Sequence, residues 1–368
     1  MATNTRPRTA DSVEQAEPQA AEPREQRGEP AGQLRSYYER MSLIRAFELR
    51  SSEMYARAKI GGYCHLNLGE EATVVGLMEA LQARDYLFVG YRDHGYALMR
   101  GLSPERVMAE LFGKTTGVSG GRGGSMHMYD TETRLFGGYG IVGGQIPPAT
   151  GVALALTYRQ KPGAEAEAVM CLLGDGTTNI GAFHESLNLA GLWNLPIVFV
   201  VVNNKLGMGT TVERSSAEPE LHKRGASYRI PGVRVDGDDV IAVRDAARAA
   251  LDQARTLRRP VLLEVMCYRL RGHSVVDPAR YRSADDTAVA QKADPVPAFR
   301  ATLIAAGVLD EAAADAIDAE ADARVTAAVE FAEKSPDPSP DDLFAYVYAT
   351  PVANAPSALP GDPVTDAL

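Results

Sequence analysis

The chain has 368 residues, 45% of them hydrophobic, and a formal net charge of −10. That is ample apolar material for a large α/β domain with appendages, while the acidic balance leaves no basic face to neutralise a nucleic-acid backbone or an anionic membrane. Cys64, Cys171 and Cys267 stand far apart with no CxxC pair, against a disulfide scaffold or a cysteine-rich zinc site, and the lack of a signal-like apolar region or a run of roughly 18 apolar residues points to a soluble, cytoplasmic protein.

Residues 1–34 are dominated by Ala, Glu, Pro, Gln and Arg, too little apolar matter to offset the entropy of ordering, and are expected to form a disordered arm. From Ser36, "SYYERMSLIRAFELRSSEMYARA" repeats apolar residues at helical spacing, so an amphipathic helix opens the folded part. "EATVVGLMEAL" reads as a helix, "DYLFVGY" as a strand and "SPERVMAELF" as a helix with a Ser-Pro start. The loop "GKTTGVSGGRGGS" is dense enough in glycine to approach a ligand closely. "IPPATGVALALTYR" and "AFHESLNLAGLWN" read as helices, and "AVMCLL" and "PIVFVVV" as strands that are apolar throughout. The helix "VIAVRDAARAALDQARTL" and the strand "PVLLEVMCY" extend the alternation. Wholly apolar strands separated by helices predict a doubly wound, mostly parallel sheet covered on both faces. The expected divisions are an α/β domain over 35–293, a helical extension over 294–350 and a flexible tail over 351–368.

"GDGTTNIG", residues 174–181, follows the strand "AVMCLL", and "NNKLG" follows "PIVFVVV". One right-handed crossover puts both strand ends on the same sheet edge, where open α/β sheets bind ligands, so Asp175 and Asn204 can meet there. A carboxylate, an amide oxygen and a backbone carbonyl form a hard-oxygen set for Mg²⁺ or Ca²⁺, completed by phosphate oxygens. Gly174 and Gly176 let the backbone pass close to a phosphate, and a helix beginning near Thr178 offers free N–H groups. The tripeptide alone is an ordinary turn, but "GDG", a helix, a buried strand and "NN" within about thirty residues is a much narrower pattern.

That unit is a thiamine diphosphate signature, and residues 36–350 resemble the alpha subunit of the decarboxylating component of 2-oxo acid dehydrogenase complexes, pyruvate dehydrogenase above all. The resemblance is carried by "GGYCHLNLGEEATVVGL", "YRDHGYALMRG", "GGRGGSMHMY", "GGYGIVGGQIP", "GDGTTNIGAFHESLNLAGLWNLP", "NNKLGMGTTVER" and "YRLRGHSVVDPARYRS". It implies that Asp175, Asn204 and the carbonyl of Leu206 hold Mg²⁺. Leu206 stands where the family usually has tyrosine, a change that spares a backbone ligand but removes an aromatic packing group. It further implies that Gly174, Gly176 and Thr177 run along the diphosphate of thiamine diphosphate, that Tyr91 and Arg92 reach it, and that Gly140 and Val142 line the cofactor. His65 and His273 would handle substrate and intermediates, His273 also touching the cofactor, as groups whose pKa lies near neutrality. His127 suits structural support and a site role equally, and His94, His184 and His222 are read as structural.

Cofactor activation also requires a carboxylate on the pyrimidine ring nitrogen. Glu70, Glu71 and Glu185 are the local candidates and fit packing better. The resemblance places that acid on a separate beta subunit, in a heterotetramer of two alpha and two beta chains, with the lipoyl domain of an acyltransferase as the second partner and a 2-oxo acid as substrate. Ser274 corresponds to the regulatory phosphorylation serine of mammalian relatives, and its loop suits a gate over the cofactor. Pyruvate is the favoured substrate, with acetoin or branched-chain 2-oxo acids as alternatives.

Other classes leave fainter traces. "FGKTTG" contains the GKT of a P-loop, but Met108 occupies the position of its first glycine. "GVSGG" matches a serine hydrolase elbow at Ser119, yet no strand leads into it. A nicotinamide-binding reading fails at Asn179, where the third glycine would stand. A non-catalytic partner-binding scaffold remains the reading that a lack of Mg²⁺ and cofactor binding would favour.

Overall fold

The computed structural model describes residues 28–161 and 163–346. The expected disordered arm lies outside this range except for its end, which differs from expectation: the first helix, α1 (Ala31–Ala56), starts five residues before Ser36, and Leu34 is buried within it. Glu29 just before it pairs with Arg244 at 2.7 Å. The expected tail over 351–368 is outside the described residues.

After α1 come α2 (Glu71–Ala80), β1 (Tyr86–Phe88), α3 (His94–Met99) and α4 (Pro104–Leu111). Ser103 caps α4 by accepting from the Arg106 N–H, with Pro104 in the first turn where its missing N–H costs nothing. Then follow α5 (Ile146–Arg159), β2 (Val169–Gly174), α6 (Gly181–Trp193) and β3 (Ile197–Asn203). A short hairpin, β4 (Leu206–Gly207) with β5 (Thr210–Thr211), leads through α7 (Val212–Ser215) to β6 (Gly232–Asp236), α8 (Val240–Leu257) and β7 (Val261–Met266). Then come α9 (Ala284–Lys292), α10 (Pro295–Ala305) and α11 (Glu311–Lys334).

The main sheet has the order β1-β2-β3-β7-β6, and every pairing in it is parallel. Its central strands serve two cores. Met170, Leu172, Val198 and Val200 face a cluster shared with α1, α2 and α8, while Val169, Cys171, Phe199 and Val201 face one shared with α5 and α6. Burial on both faces is why these strands read as unbroken apolar runs. β6 escaped the sequence reading because "GVRVD" is an exposed edge strand with little to bury. The last helices share the first cluster rather than forming a separate unit. Ala314, Ile317, Val325 and Ala328 of α11 pack with Leu34, Met41 and Ile44 of α1, and Ser42 and Tyr38 both donate to Asp318.

Parallel pairing carries the carboxyl ends of β2 and β3 to one rim, with Gly174 opposite Val202 and Asn203 opposite Met266. The turns after these strands therefore open side by side.

Candidate active site

A cavity of about 780 Å³ lies at this rim. Gly174, Asp175, Gly176 and Thr177 line it from the end of β2, and Asn204 and Leu206 from the end of β3. Tyr91 and Arg92 line it from the turn after β1, Gly140 and Val142 from the "GYGIVGG" loop, and His65, His273 and Ser274 from the loops across its mouth. Residues far apart in sequence thus meet in one chamber. The turn after β2 differs from expectation: Asp175–Asn179 forms a 3-10 segment, and α6 starts only at Gly181.

Asp175 is 5% exposed, and burial pushes its carboxyl up to about 6. The Asn204 side chain donates through Nδ2 to Glu70 Oε1 at 2.9 Å, while its Oδ1 is buried with no protein partner. The Leu206 carbonyl accepts from Arg269 Nη1 at 3.1 Å. A desolvated carboxylate and an unsatisfied amide oxygen lining one cavity fit a hard cation, which would relieve both costs. The backbone here is strained, with Lys205 at φ 69° and Met208 at φ 55° flanking the β4 segment. Close approach is also enforced at Gly143, where a Cβ would sit 2.0 Å from Ile180 Cδ1 and 3.2 Å from Thr177 Cγ2. That glycine lets the "GYGIVGG" loop press onto the 3-10 turn.

His65, Tyr91 and His273 form a ring cluster, with the His65 centroid 4.5 Å from Tyr91 and 5.0 Å from His273. Arg92 sits beneath it, donating to the Leu66 carbonyl at 2.5 Å and the His273 carbonyl at 3.1 Å. Burial, reinforced by the Arg92 charge, pushes His65 down to about 3 and His273 to about 4. The expectation of histidines with a pKa near neutrality is therefore corrected: in this cavity both imidazoles are neutral. The Nδ1 of each is buried without a partner. The loop bearing His273 is held by Asp277, which accepts from the His273 N–H at 2.6 Å and the Tyr281 hydroxyl at 2.6 Å.

Of the three candidate acids only Glu70 lines the cavity. Glu71 is fully buried elsewhere, accepting from Arg45 and the Gly69 N–H, and Glu185 is exposed on α6. His94 is enclosed between Glu48 Oε2 and Ser125 Oγ, His184 pairs with the Tyr228 hydroxyl and His222 with Glu264. His127 is exposed, its Nδ1 3.2 Å from the Gly138 carbonyl, and does not line the cavity.

Among the lining residues that sequence reasoning missed, Arg269 and Gln145 stand out. Arg269 is 1% exposed and clamps the Leu206 and Met208 carbonyls, tying the His273 loop to the turn after β3. Gln145 donates to the Leu172 carbonyl and leaves its Oε1 buried without a partner. A large cation in "YRLRGHS" was a visible signal for the first; nothing local marked the second.

The rival motifs acquire other roles. The glycine-rich loop was expected to approach a ligand, but its N–H groups converge on Glu110. Ser119 and Gly121 donate to Oε2, at 2.7 and 2.9 Å, and Gly123 and Gly124 to Oε1, at 2.7 and 3.0 Å. The loop encloses an internal anion. Ser119 Oγ donates to the His127 carbonyl and accepts from the Tyr129 N–H, with no histidine base. In "FGKTTG", Lys114 binds Asp337 and Thr115 and Thr116 bind residues 335–336, so the segment anchors the C-terminal stretch instead of a phosphate.

With this geometry established, comparison with known proteins decides the family: the dehydrogenase E1 component model matches residues 39–341. The chain belongs to that family. Its dehydrogenases depend on thiamine diphosphate. The pyruvate dehydrogenase E1 component subunit alpha of Zymomonas mobilis is 44% identical over 317 residues, covering 86% of this chain and 88% of its own. The same subunit of Rhizobium meliloti is 43% identical, over 83% of this chain and 87% of its own. The chloroplastic alpha-3 subunit of Arabidopsis thaliana is 42% identical, over 85% and 74%. No described helix is long and apolar enough to cross a membrane.

Proposed function

We propose that this E1 family chain is the alpha subunit of a pyruvate dehydrogenase, using thiamine diphosphate and Mg²⁺ to decarboxylate pyruvate and pass the remaining two carbons, at the acetyl level, to a lipoyl disulfide that is reduced. The observation that carries the cofactor assignment is the pairing, at one rim, of a buried carboxylate on Asp175 with the unpartnered Oδ1 of Asn204. Pyruvate comes from the names of the relatives.

In this reading Asp175, Asn204 and the Leu206 carbonyl hold Mg²⁺, and Gly174, Gly176 and Thr177 offer a close, unobstructed backbone to the diphosphate. Bound there, thiamine diphosphate supplies the nucleophilic carbon and electron sink that decarboxylation of a 2-oxo acid needs. Arg92 supplies a fixed positive charge that favours an anion in the chamber, and burial, reinforced by that charge, holds His65 and His273 neutral. His65 and His273 serve as hydrogen-bond donors to developing negative charge at the mouth. Gly140 and Val142 shape the wall against the cofactor.

The chamber is incomplete on its own. Glu70 is the one candidate acid that lines it, and both its oxygens are engaged by Asn67 and Asn204. Around the mouth Tyr63, Val142, Met208 and Val276 are 63%, 48%, 64% and 56% exposed, and neighbouring Ile141 79%, an apolar rim suited to a covering protein. A beta subunit supplying the missing acid fits both facts, and an acyltransferase lipoyl domain would enter past His273 and Ser274.

Co-expression with a beta subunit of the same component tests this. Cofactor- and Mg²⁺-dependent dye reduction is expected with pyruvate well above branched-chain 2-oxo acids or acetoin; a reversed preference would reassign the substrate, and steady turnover by the purified chain alone would overturn the shared site.

A further inference from the structure

The Asn204 side chain poses a problem of identity. An amide is nearly the same shape after a half-turn about its last bond, yet one orientation offers a cation an oxygen and the other an N–H pair. Asn204 can serve as a ligand only if something in the fold distinguishes the two.

Glu70 does so. It is 2% exposed, and Oε1 accepts from Asn204 Nδ2 at 2.9 Å. A carboxylate is acceptor-only, so it selects the N–H side and leaves Oδ1 as the buried, unpartnered atom. The carboxylate is itself fixed. Oε2 accepts from Asn67 Nδ2 at 3.1 Å, and Arg92 Nε lies 3.7 Å from Oε1. Asn67 is in turn held from both sides, its Oδ1 accepting from the Gly95 N–H at 3.0 Å and its own N–H donating to Glu48 Oε1 at 3.1 Å. A buried chain of hydrogen bonds therefore runs from α1 through the segment before α2 to the turn after β3.

We propose that Glu70 is a positioning residue of the cation site: its hydrogen bond to Asn204 Nδ2 sets the amide so that Oδ1 faces the metal. The inference rests on the reading of Asn204 as a metal ligand. It also gives Glu70 an occupation other than cofactor activation, since each of its oxygens already accepts from a side-chain amide. Groups that orient a metal ligand commonly change metal affinity by about 10- to 100-fold when removed.

The test uses the full chain co-expressed with its partner subunit and stripped of metal by a chelator. Mn²⁺ is titrated at saturating thiamine diphosphate, and free Mn²⁺ is read by electron paramagnetic resonance. Glu70→Leu, which keeps the volume, and Glu70→Ala, which vacates it, are expected to weaken Mn²⁺ binding by about 10- to 100-fold. Glu70→Gln keeps one acceptor oxygen for Asn204 and should stay within about threefold of wild type. Thermal unfolding of each metal-free variant normalises for folded protein. Glu70→Gln as weak as Glu70→Leu would mean that charge, not orientation, matters, and would overturn the inference. So would Leu and Ala variants that bind like wild type. Wild-type protein that binds no Mn²⁺ would instead overturn the cofactor reading itself, taking this inference with it.

Discussion

Two glycine-rich regions of this chain look alike in sequence and differ in the fold. The loop over residues 113–124 and the turn over residues 174–177 both follow a regular element and both combine glycines with small polar residues. In the first, four N–H groups are spent on the carboxylate of Glu110, nine to fourteen residues away. In the second, the acid sits inside the turn itself, and the surrounding cavity keeps polar atoms without partners on His65, Asn204, Gln145 and His273. Glycine permits close approach in both places. What is approached, an internal carboxylate or an incoming ligand, depends on whether the protein already supplies the partner. Buried polar atoms left unsatisfied are rare in stable folds, so their concentration in one cavity marks the place where a ligand completes the structure.

Substitutions on either side of this contrast separate it. The largest effect is expected at the turn: Asp175→Asn should reduce cofactor-dependent activity by more than about 100-fold, since a direct ligand outweighs the groups that orient it, while circular dichroism stays native. At the loop the effect should move to stability. Glu110→Ala strips four N–H groups of their acceptor and should lower the unfolding free energy by about 3–5 kcal/mol, measured by denaturant titration. Glu110→Gln should cost less, and in neither should the folded fraction lose Mg²⁺ affinity. A loss of cation binding in Glu110→Gln would show that the two regions are not independent.

The histidine cluster gives a smaller, pH-dependent signal. His65 and His273 have folded pKa values lowered to about 3 and about 4 from 6.5. The stability they contribute as neutral groups is full above about 6.5 and is lost as pH falls toward the folded values, because the unfolded chain takes up the protons first. His65→Gln should therefore flatten the decline in unfolding free energy between about pH 6.5 and 4. An unchanged slope would mean that His65 titrates normally. The smallest effect belongs to Ser119→Ala: it loses two exposed hydrogen bonds, to the His127 carbonyl and from the Tyr129 N–H, costing about 1–2 kcal/mol, and leaves turnover as it was. A stoichiometric fluorophosphonate adduct at Ser119 would contradict the loop's internal role.

Particular residues show how far the sequence could be read. The strands "AVMCLL" and "PIVFVVV" were legible because burial on two faces removes alternation, and parallel connection alone was enough to bring Asp175 and Asn204 to one rim. The helix α9 was missed although Ser283 and Asp286 form a capping box in plain view, and β6 was missed because an exposed edge carries Arg and Asp where a core strand carries Val. The neutral state of His65 and His273 was not legible either. It depends on Arg92 and on burial by segments some two hundred residues apart, and pKa values respond to distance in space, not in sequence.

By itself, then, the sequence determined the buried strands and the main helices between them, the two-faced sheet and the identity of the acid and amide at its rim, because hydrophobic period and strand-end placement are local properties of the chain. Tertiary structure alone decided which glycine loop encloses a carboxylate of its own, which carboxylate is buried against Asn204 and which imidazoles lose their charge. Those outcomes depend on partners 134 residues apart for Glu70 and Asn204 and 181 for Arg92 and His273, and hydrogen bonding and desolvation act only across the distances that folding creates.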